Sequence, residues 1–521
     1  MIEHPAGRRE WLALAVLCLP VLIASMDVSV LFFAVPFIAR DLEPSATQQL
    51  WMFDIYGFVL AGLLMTMGSL GDRVGRRRLL LIGAVAFSAA SLLAAYAESA
   101  TMLIVARAVL GIAGATLMPS TLALIRNVFH VDSERTKAVA IWTAVLTGGI
   151  SLGPIISGVL LEHFWWGSVF LINIPAMLVF LVAAPLLLPE SKGARSDRFD
   201  WQSSLLALGA ILPLIQAIKS AATDGWSLQA VAFAATGLLM GWAFAARQLS
   251  ATVPMVDVRM LAERRFGGSI LINILAMFAI MGNSIILTQY LQSVLGFSPL
   301  RAALWSLAPS VAVGAAAPLA AKLATTYGRP RVMAGGFGTA TAGFLLLSTV
   351  VVDSPLALCL VSAGLIVAGL VAVLSLITDY VVGAAPAERA GSVAGLVQTS
   401  TELGGALGIA LLGSVLAAVY RSRVAELMPL GVPTTAASQA RETLAGATVG
   451  AESLPAGQGD VLLLASRTAY VAAMHGASFL AAGVLVVTAV LTLVLLRDTG
   501  GKDEDESRTS DLADALNDDL R

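Results

Sequence analysis

Long apolar runs, separated by short polar segments, occupy most of the chain. A helix needs about 20 mainly apolar residues to cross the hydrocarbon core of a bilayer. On that criterion the pattern predicts fourteen transmembrane helices. In chain order they are residues 11–38, 50–70, 79–97, 101–123, 138–160, 168–189, 201–218, 228–246, 267–291, 302–320, 332–351, 357–379, 393–417 and 470–496.

The composition agrees with a lipid environment. Of 521 residues, 58% are hydrophobic and 13% are charged, and the mean hydropathy is +0.85. Soluble proteins carry about twice that share of charge. Cys18 and Cys359 both lie in apolar runs, so no disulfide framework is predicted. The net charge of −2 argues against a nucleic acid partner, and the bilayer itself is the predicted surrounding.

The basic residues are distributed unevenly among the connecting segments. Lys and Arg collect in the cytoplasmic loops of membrane proteins. If the N-terminus is cytoplasmic, most of the 32 basic residues fall inside, which predicts that both termini face the cytoplasm of a bacterial inner (plasma) membrane. The basic residues that fall outside are Arg40, Lys219, Arg301, Arg421, Arg423, Arg441 and Arg467.

One charged turn, "GSLGDRVGRRR" at 68–78, recurs in weaker form as "AKLATTYGRPRVMAGG" at 321–336. Both copies fall between the second and third spans of a block of six, so the chain divides as six, two and six helices. Two such parallel halves are typical of secondary transporters with a site between them. The predicted fold is therefore an all-α membrane protein of two six-helix bundles plus an inserted helix pair.

The predicted domains follow from this division. They are residues 1–190 for the first bundle, 191–260 for the inserted pair with its linkers, 261–496 for the second bundle, and 497–521 for a disordered acidic cytoplasmic tail. Segment 421–469 is a long extracellular loop within the second bundle. It is too polar to span a membrane, and we expect short helices over the extracellular mouth there.

Several motifs give the chain a family resemblance. "GSLGDRVGRRR", "IVARAVLGIAGATLMPS" (104–120) and "GISLGPIISG" (149–158) resemble the loop, fourth-helix and antiporter motifs of the fourteen-span drug:proton antiporters of the major facilitator superfamily. The resemblance covers nearly the whole chain. The segments that look like the branch exporting quaternary ammonium compounds, cationic dyes and methyl viologen are "MDVSVLFFAVP" (26–36), "WMFDIY" (51–56), "LEHFWWGSVFLINIP" (161–175) and "TELGGALG" (401–408).

Two positions depart from the family pattern. Ser157 stands where the antiporter motif usually has glycine, and Thr325 stands where the second loop signature would have its acid. A small residue at 157 preserves close packing, whereas the second loop has lost its carboxylate.

The charged turn is predicted to take part in conformational change. Asp72 follows the second helix, where it can accept from the amides at a nearby helix N-terminus or pair with Arg73 or Arg76. Gly75 permits the tight turn within the segment that begins at Gly68. The hypothesis is a cytoplasmic contact that holds the two halves together in one access state, and the alternative is a basic loop that only sets topology.

Small residues recur every four positions on the fifth helix, at Gly149, Gly153 and Ser157, and Pro154 adds a bend. Such a face lets a partner helix approach closely. The resemblance implies that this helix lies between the halves and limits leak, while plain close packing is the alternative.

Ionisable residues inside spans are expensive and are functional hypotheses by default. Asp27 and Arg107 fall in the outer halves of the first and fourth helices, which line the cavity in this fold. We expect Asp27 to carry a proton and the charge of Arg107 to adjust how tightly Asp27 binds it. The alternative is a static ion pair. Glu402, near the middle of the thirteenth helix, is expected to face the cavity and serve both proton coupling and substrate binding.

Further lining residues are predicted with less specific signals. Asp54 lies one turn into the second helix from the outside and is either a partner for a cationic substrate or a partly wet helix-end acid. Tyr56, Trp142 and Phe278 offer aromatic faces for cation–π contact or are simple packing. Asn283 and Gln289 are candidate polar lining.

No enzyme chemistry or metal site is predicted, because the four His residues have no metal-ligand spacing and no nearby nucleophile. No phosphate-binding loop occurs, so an ATP-driven pump is unsupported and an ion gradient is the expected energy source. The resemblance implies a cofactor-free, proton-gradient-driven multidrug exporter that moves lipophilic organic cations, including quaternary ammonium compounds, dyes and biguanides, and we expect it to work as a monomer. The alternatives are an exporter of one antibiotic or metabolite and a non-transporting membrane sensor.

Overall fold

The computed structural model describes residues 6–191, 200–225, 227–251, 258–383 and 390–496. The described chain is helical with short connections and contains no strand. The predicted acidic tail, 497–521, lies outside the described residues. The helices are α1 Arg8–Leu42, α2 Ala46–Val74, α3 Arg76–Ala95, α4 Ala100–Val128, α5 Asp132–His163, α6 Ser168–Leu171, α7 Asn173–Leu187, α8 Trp201–Asp224, α9 Leu228–Ser250, α10 Val258–Ala262, α11 Arg264–Gln289, α12 Pro299–Ser306, α13 Ser310–Tyr327, α14 Arg329–Leu347, α15 Leu356–Gly383, α16 Ala390–Leu427, α17 Thr434–Glu442, α18 Leu444–Glu452 and α19 Ala456–Leu495, with a π-helical turn Tyr290–Val294 after α11.

Local sequence signals define several helix ends. Ser45 begins α2 with a capping box, in which its hydroxyl accepts from the Gln48 amide and the Gln48 side chain accepts from the Ser45 amide. Ser99 caps α4 by accepting from the Met102 amide. Gly75 ends α2 at a φ of +114°, a backbone conformation that side-chain-bearing residues rarely adopt.

The membrane-spanning character of the fold is confirmed. Within the described chain, eleven helices are long and apolar enough to cross a bilayer, and α2 makes a twelfth if its two segments, bent by 55°, form one span. Two predicted spans, 302–320 and 332–351, are helical but shorter or less apolar. A break after Ser306 divides the first of them, and α14 is rich in glycine. The count of fourteen therefore stays a prediction.

Each predicted six-span block forms a compact group of helices. The N-terminal half, α1–α7, is built on the pairs α2/α4, α1/α5 and α3/α4. The C-terminal half, α11–α19, is built on α14/α15, α11/α16 and α14/α19. The predicted span 168–189 is interrupted at Ile172, where α6 gives way to α7. The halves meet mainly where α2 contacts α16 and where α5 contacts α12.

The inserted hairpin, which we define as α8 and α9, lies on the outside of both halves. Its two helices pack on each other, and α8 also contacts α2 and α16. Of the 23 residues of α9, only Ala230, Gly237 and Gln248 are buried, as expected for a helix that faces lipid.

The long predicted loop is shorter than expected. Because α16 continues to Leu427 and α19 begins at Ala456, both flanking helices extend into 421–469 and leave only residues 428–455 between them. This stretch contains the expected short helices, α17 and α18. We call these two helices the cap. The cap contacts α1, α16, α19 and the π-helical turn.

Candidate functional site

A cavity lies between the two halves, and the empty space in and around it amounts to about 820 Å³, including the part that is open to solvent. Its walls come from α1, α2, α4 and α5 on one side and from α11 and α16 on the other. Among its lining residues are Tyr56, Arg107 and Glu402, three of the residues singled out from sequence.

Asp27 and Arg107 form a buried ion pair between α1 and α4. Asp27 is 2% exposed and Arg107 is 1% exposed. Arg107 Nε also donates to the Met52 backbone oxygen at 3.2 Å, and its guanidinium carbon lies 4.7 Å from the centre of the Tyr56 ring. The guanidinium is thus held by three helices of one half while it still borders the cavity.

One oxygen of the Asp27 carboxylate has no hydrogen-bond partner among the described residues. Asp27 Oδ2 accepts from Arg107, but Asp27 Oδ1 is buried without a partner. A buried acceptor left unsatisfied is costly.

Glu402 lies on α16 and faces the cavity, as expected. Its carboxylate accepts from Gln398 Nε2 at 3.0 Å, one turn earlier on the same helix. Glu402 is partly exposed, in contrast to the closed Asp27–Arg107 pair. A cationic ligand in the cavity can therefore reach the Glu402 carboxylate directly.

The glycines that follow Glu402 bring α16 close to α11. A Cβ on Gly404 would lie 2.4 Å from the Ile274 backbone oxygen, and one on Gly408 would lie 2.1 Å from the Phe278 backbone oxygen. Gly404 and Gly408 therefore allow α16 to pack closely against α11. Gly405, on the same helix, lines the cavity.

Four predicted lining residues are not among the residues that line this cavity. Trp142 is buried and donates to the Thr121 hydroxyl at 3.1 Å, between α5 and α4. Phe278 and Asn283 are buried in α11. Gln289 lines two smaller pockets beneath the cap.

Asp54 is also placed differently from the expectation. It is fully buried rather than partly wet, and its Oδ2 lies 2.8 Å from Lys219 Nζ of the inserted hairpin. Lys219 was assigned to an outside loop because the predicted span ended at 218, but α8 continues to Asp224. Asp54 is not among the residues that line the cavity, so the structure does not bring it to the predicted substrate site.

Several lining residues carried no distinguishing sequence signal. Phe32 and Phe53 stack with ring centres 5.1 Å apart, and Met118, Met277 and Met281 complete much of the apolar wall. Apolar residues fill every span of such a chain, so periodicity alone could not single these out. Flexible methionine side chains can adapt to ligands of different shape.

The small-residue face of α5 packs within the N-terminal half. A Cβ on Gly149 would lie 1.9 Å from Ser25 Oγ, and one on Gly153 would lie 2.2 Å from Ser29 Oγ. Both serines belong to α1. Gly149 and Gly153 therefore face α1 of the same half, while α5 itself also contacts α12 of the other half. Pro154 is buried in the same helix.

A neighbouring glycine makes the contact with the other half. A Cβ on Gly158 would lie 2.6 Å from Leu300 Cα, at the start of α12. Shifting the motif by one residue thus changes the partner helix from α1 to α12, since successive helix positions point about 100° apart.

The charged turn forms a network inside the N-terminal half. Asp72 Oδ1 accepts from Arg76 Nε at 2.7 Å, which is one of the pairings considered from sequence. Arg76 also donates to the Ala123 backbone oxygen at 3.3 Å. Arg73 is exposed, and Gly68 faces Pro119 of α4. The network therefore ties the ends of α2, α3 and α4 together.

The carboxylate at the N-terminus of α3 is Glu190 rather than Asp72. Glu190 accepts from the Arg77 amide at 3.2 Å and lies within 4 Å of the side chains of Arg77 and Arg78. A Cβ on Gly75 would meet this carboxylate at 2.6 Å. Glu190 was missed because it is 112 or more positions away in sequence from the turn it contacts.

The halves also touch at the end of the bundle where α1 ends and α2 begins. Arg40 of α1 pairs with Glu452 of the cap, and the Ala46 amide donates to Glu442 at 3.3 Å. Gln439 donates to Glu43 at 3.2 Å. The cap thus closes over this end of the bundle.

Comparison with known proteins agrees with this architecture. A family model described as "Major Facilitator Superfamily" matches residues 17–282 and 269–438. A multidrug efflux pump from Mycolicibacterium smegmatis, LfrA, is 42% identical over 490 residues, covering 94% of this chain and 97% of the relative. A methyl viologen resistance protein from Salmonella typhimurium, SmvA, is 34% identical, covering 92% of this chain and 97% of the relative.

Solved structures share the fold at low sequence identity. A bacterial homolog of the human lysosomal transporter Spinster superposes with a TM-score of 0.61 at 16% identity, covering 94% of this chain and 99% of the other. The nucleoside transporter NupG superposes with a TM-score of 0.59 at 11% identity, covering 93% of this chain and 100% of the other. With its two helical halves, its cavity between them and these matches, the chain belongs to the major facilitator superfamily of membrane transporters.

Proposed function

We propose that this transporter exports lipophilic organic cations in exchange for protons. The observation that carries the proposal is the composition of the cavity, where the Glu402 carboxylate lies among methionine, aromatic and aliphatic side chains. An apolar wall buries the apolar surface of a drug away from water, and a carboxylate attracts the positive charge of the drug. The names of the 42% and 34% identical relatives, a multidrug efflux pump and a methyl viologen resistance protein, support this class of substrate.

Proton coupling is assigned to Asp27 with Arg107 as its partner. Arg107 lines the cavity and Asp27 contacts it without lining the cavity, and both side chains are almost completely buried, so the pair is protected from competing solvent. Arg107 keeps its charge at any relevant pH, whereas a carboxylate can gain or lose a proton. The negative charge of Glu402, on the opposite half, then attracts the cationic substrate.

Contacts between the two halves at one end of the bundle support an outward-closed state. On the predicted topology, Arg40–Glu452 and Gly158–Leu300 both lie at the extracellular end of the bundle. We propose that these contacts separate when the cavity opens to the outside, and that the cap takes part in release. Replacement of residues 434–452 by a flexible linker should slow transport, and unchanged transport would reduce the cap to a tether.

Everted membrane vesicles provide the decisive test. Such vesicles should accumulate a cationic dye when respiration acidifies their interior, and a protonophore should abolish accumulation. Vesicles without the protein are the control for passive uptake. Accumulation that persists with the protonophore would contradict proton coupling, and the absence of dye transport would contradict the substrate class.

A narrower substrate range remains the second candidate. An export protein for tetracenomycin C from Streptomyces glaucescens is 30% identical over 94% of this chain. Competition experiments distinguish the two, because a multidrug cavity should be inhibited by chemically unrelated cations, whereas a dedicated site should respond to one scaffold only.

A further inference from the structure

The inserted helix α8 lies against the junction of the two halves. It contacts α2 of the N-terminal half and α16 of the C-terminal half. One apolar cluster joins all three helices, with Phe58 from α2, Ile215 from α8, and Ala406 and Ala410 from α16. Ala406 also lines the cavity, so α8 lies directly behind the wall that carries Glu402.

The contact of α8 with α2 includes directional polar interactions. Lys219 Nζ lies 2.8 Å from Asp54 Oδ2, and both side chains are fully buried. The same Nζ lies 4.0 Å from the centre of the Trp51 ring, and the Trp51 indole donates to Gln216 Oε1 at 2.7 Å. Charged and hydrogen-bonded contacts of this kind fix both distance and orientation.

The polar contacts extend along the length of the helix pair. Near the other end of α8, the hydroxyls of Thr66 and Ser204 are hydrogen-bonded to each other. Between these ends, Gly62 of α2 faces the Leu208 side chain so closely that a Cβ on it would lie 2.5 Å from Leu208 Cδ2. The two helices are therefore matched over about four turns.

The contact of α8 with α16 is made by apolar side chains. Apolar attraction depends on buried area and has little directional preference. Such a surface can shift along its partner at lower cost than an ion pair can. The side chains of this contact are Ile211, Leu212, Ile215, Leu403, Ala406, Leu407 and Ala410.

We propose that Lys219 is a positioning residue which, as the counter-charge of Asp54, fixes the inserted hairpin to the N-terminal half, so that α16 moves over the apolar face of α8 during transport. This inference rests on the proposed alternation of the two halves. It assigns Asp54 to Lys219 rather than to the substrate, and it makes the hairpin a moving part rather than a passive addition.

Neutralising the pair tests the assignment of Asp54. Asp54→Asn and Lys219→Met each leave one buried charge without its partner, so each should lower dye transport by about tenfold or more. The double variant Asp54→Asn/Lys219→Met removes both charges and should recover transport to within about threefold of the parent. All variants are compared at equal protein levels, and size-exclusion chromatography checks that each variant is folded. A double variant as inactive as Asp54→Asn would overturn the proposal, because Asp54 would then act on proton or cation directly.

Cross-linking tests the motion in a parent chain with Cys18 and Cys359 replaced by Ala. A disulfide between Gly62→Cys and Leu208→Cys ties α8 to α2 and should leave transport within about twofold of the reduced protein. A short bis-methanethiosulfonate reagent, which forms a disulfide with each cysteine and releases methanesulfinate, links Ile215→Cys to Ala410→Cys, ties α8 to α16 and should stop transport until the link is reduced.

The opposite pattern, with α8–α2 linkage arresting transport or α8–α16 linkage tolerated, would overturn the proposal. The result is independent of the proposed substrate and energy source, because each linked sample is compared with its own reduced form. Failure of dye transport in the reduced parent would instead contradict the proposed function.

Discussion

The Ser157 hydroxyl donates a 3.0 Å hydrogen bond to the backbone oxygen of Val30, joining α5 to α1. This bond continues the line of close contacts made by Gly149 and Gly153 on the same helix. Because the partner is α1, the antiporter-motif face stabilises one half of the transporter, and the contact between halves begins one residue later at Gly158.

Enlarging this face should therefore destabilise the protein. A Cβ on Gly153 would lie 2.2 Å from Ser29 Oγ and 3.0 Å from the Met26 backbone oxygen. Gly153→Val should cost about 1–3 kcal/mol through overpacking. The measurement is thermal unfolding in detergent followed by fluorescence. Gly148→Val is the matched control, because a Cβ there meets no atom within 4 Å, and it should be no less stable than the parent. Equal unfolding temperatures for both variants would contradict the assignment.

Asp27→Asn should abolish gradient-driven transport of every substrate. The substitution removes the proton-binding group and leaves Arg107 charged and buried without its partner, which costs about 3–5 kcal/mol in comparable pairs. Uphill dye uptake into everted vesicles is the measurement, made at matched protein levels. If Asp27→Asn still concentrates the dye, the proton is carried elsewhere, and Glu402 becomes the first candidate.

Glu402→Gln should instead change substrate preference. The amide keeps the shape of the carboxylate and its place beside Gln398 but removes the charge that faces the cavity. Coulomb attraction scales with ligand charge, so a dication should lose more transport than a monocation of similar size. Competition of the dication and of the monocation against a monovalent dye measures the ratio of their transport. Gln398→Leu, which leaves the carboxylate in place, is the control, and an equal loss for both ligand charges would remove Glu402 from cation recognition.

The hairpin should lose stability in acid through Asp200. Asp200 lies before α8, outside the spans, and accepts from Arg247 Nη2 of α9 at 2.8 Å and from the Ser203 amide at 3.1 Å. Burial alone would raise the pKa of Asp200, but these hydrogen bonds outweigh it and hold the pKa below its usual value. The stabilisation is therefore complete above the ordinary carboxyl pKa of about 4 and is lost as the pH falls through the lower folded-state pKa.

The expected size of this effect is below about 1 kcal/mol, because the Arg247 side chain is 39% exposed. Thermal unfolding between neutral pH and pH 3 measures it. Asp200→Asn should already be less stable at neutral pH and should converge with the parent in acid. A constant difference across that range would show that the charge of Asp200 contributes nothing.

The sequence allowed the Asp27–Arg107 pair to be predicted because both residues are ionisable groups inside apolar spans. Such groups need partners, and helices one and four line the same cavity in the family that the motifs resemble. Glu402 was predicted to face the cavity for the same reason. Charge within apolar sequence is thus informative, since its cost restricts where it can lie.

Lys219 and the apolar lining were harder to predict for opposite reasons. Lys219 lies one residue beyond the predicted end of its span, where a lysine normally extends to the membrane surface. Only the position of α8 beside Asp54 shows that it turns inward. Phe53 and Met281 look like any other apolar residue in a span. Their contribution to the cavity depends on helix rotation, which the sequence pattern leaves open.

The carboxylate of Glu402 and the guanidinium of Arg107 border one cavity but belong to different halves. Any rocking of the halves therefore alters the separation of these two opposite charges, and Coulomb energies vary inversely with separation. A cation bound between them would experience a different electric field in each state, even with every side chain in the same protonation state. The conformational change therefore also changes the electrostatic potential at the bound cation.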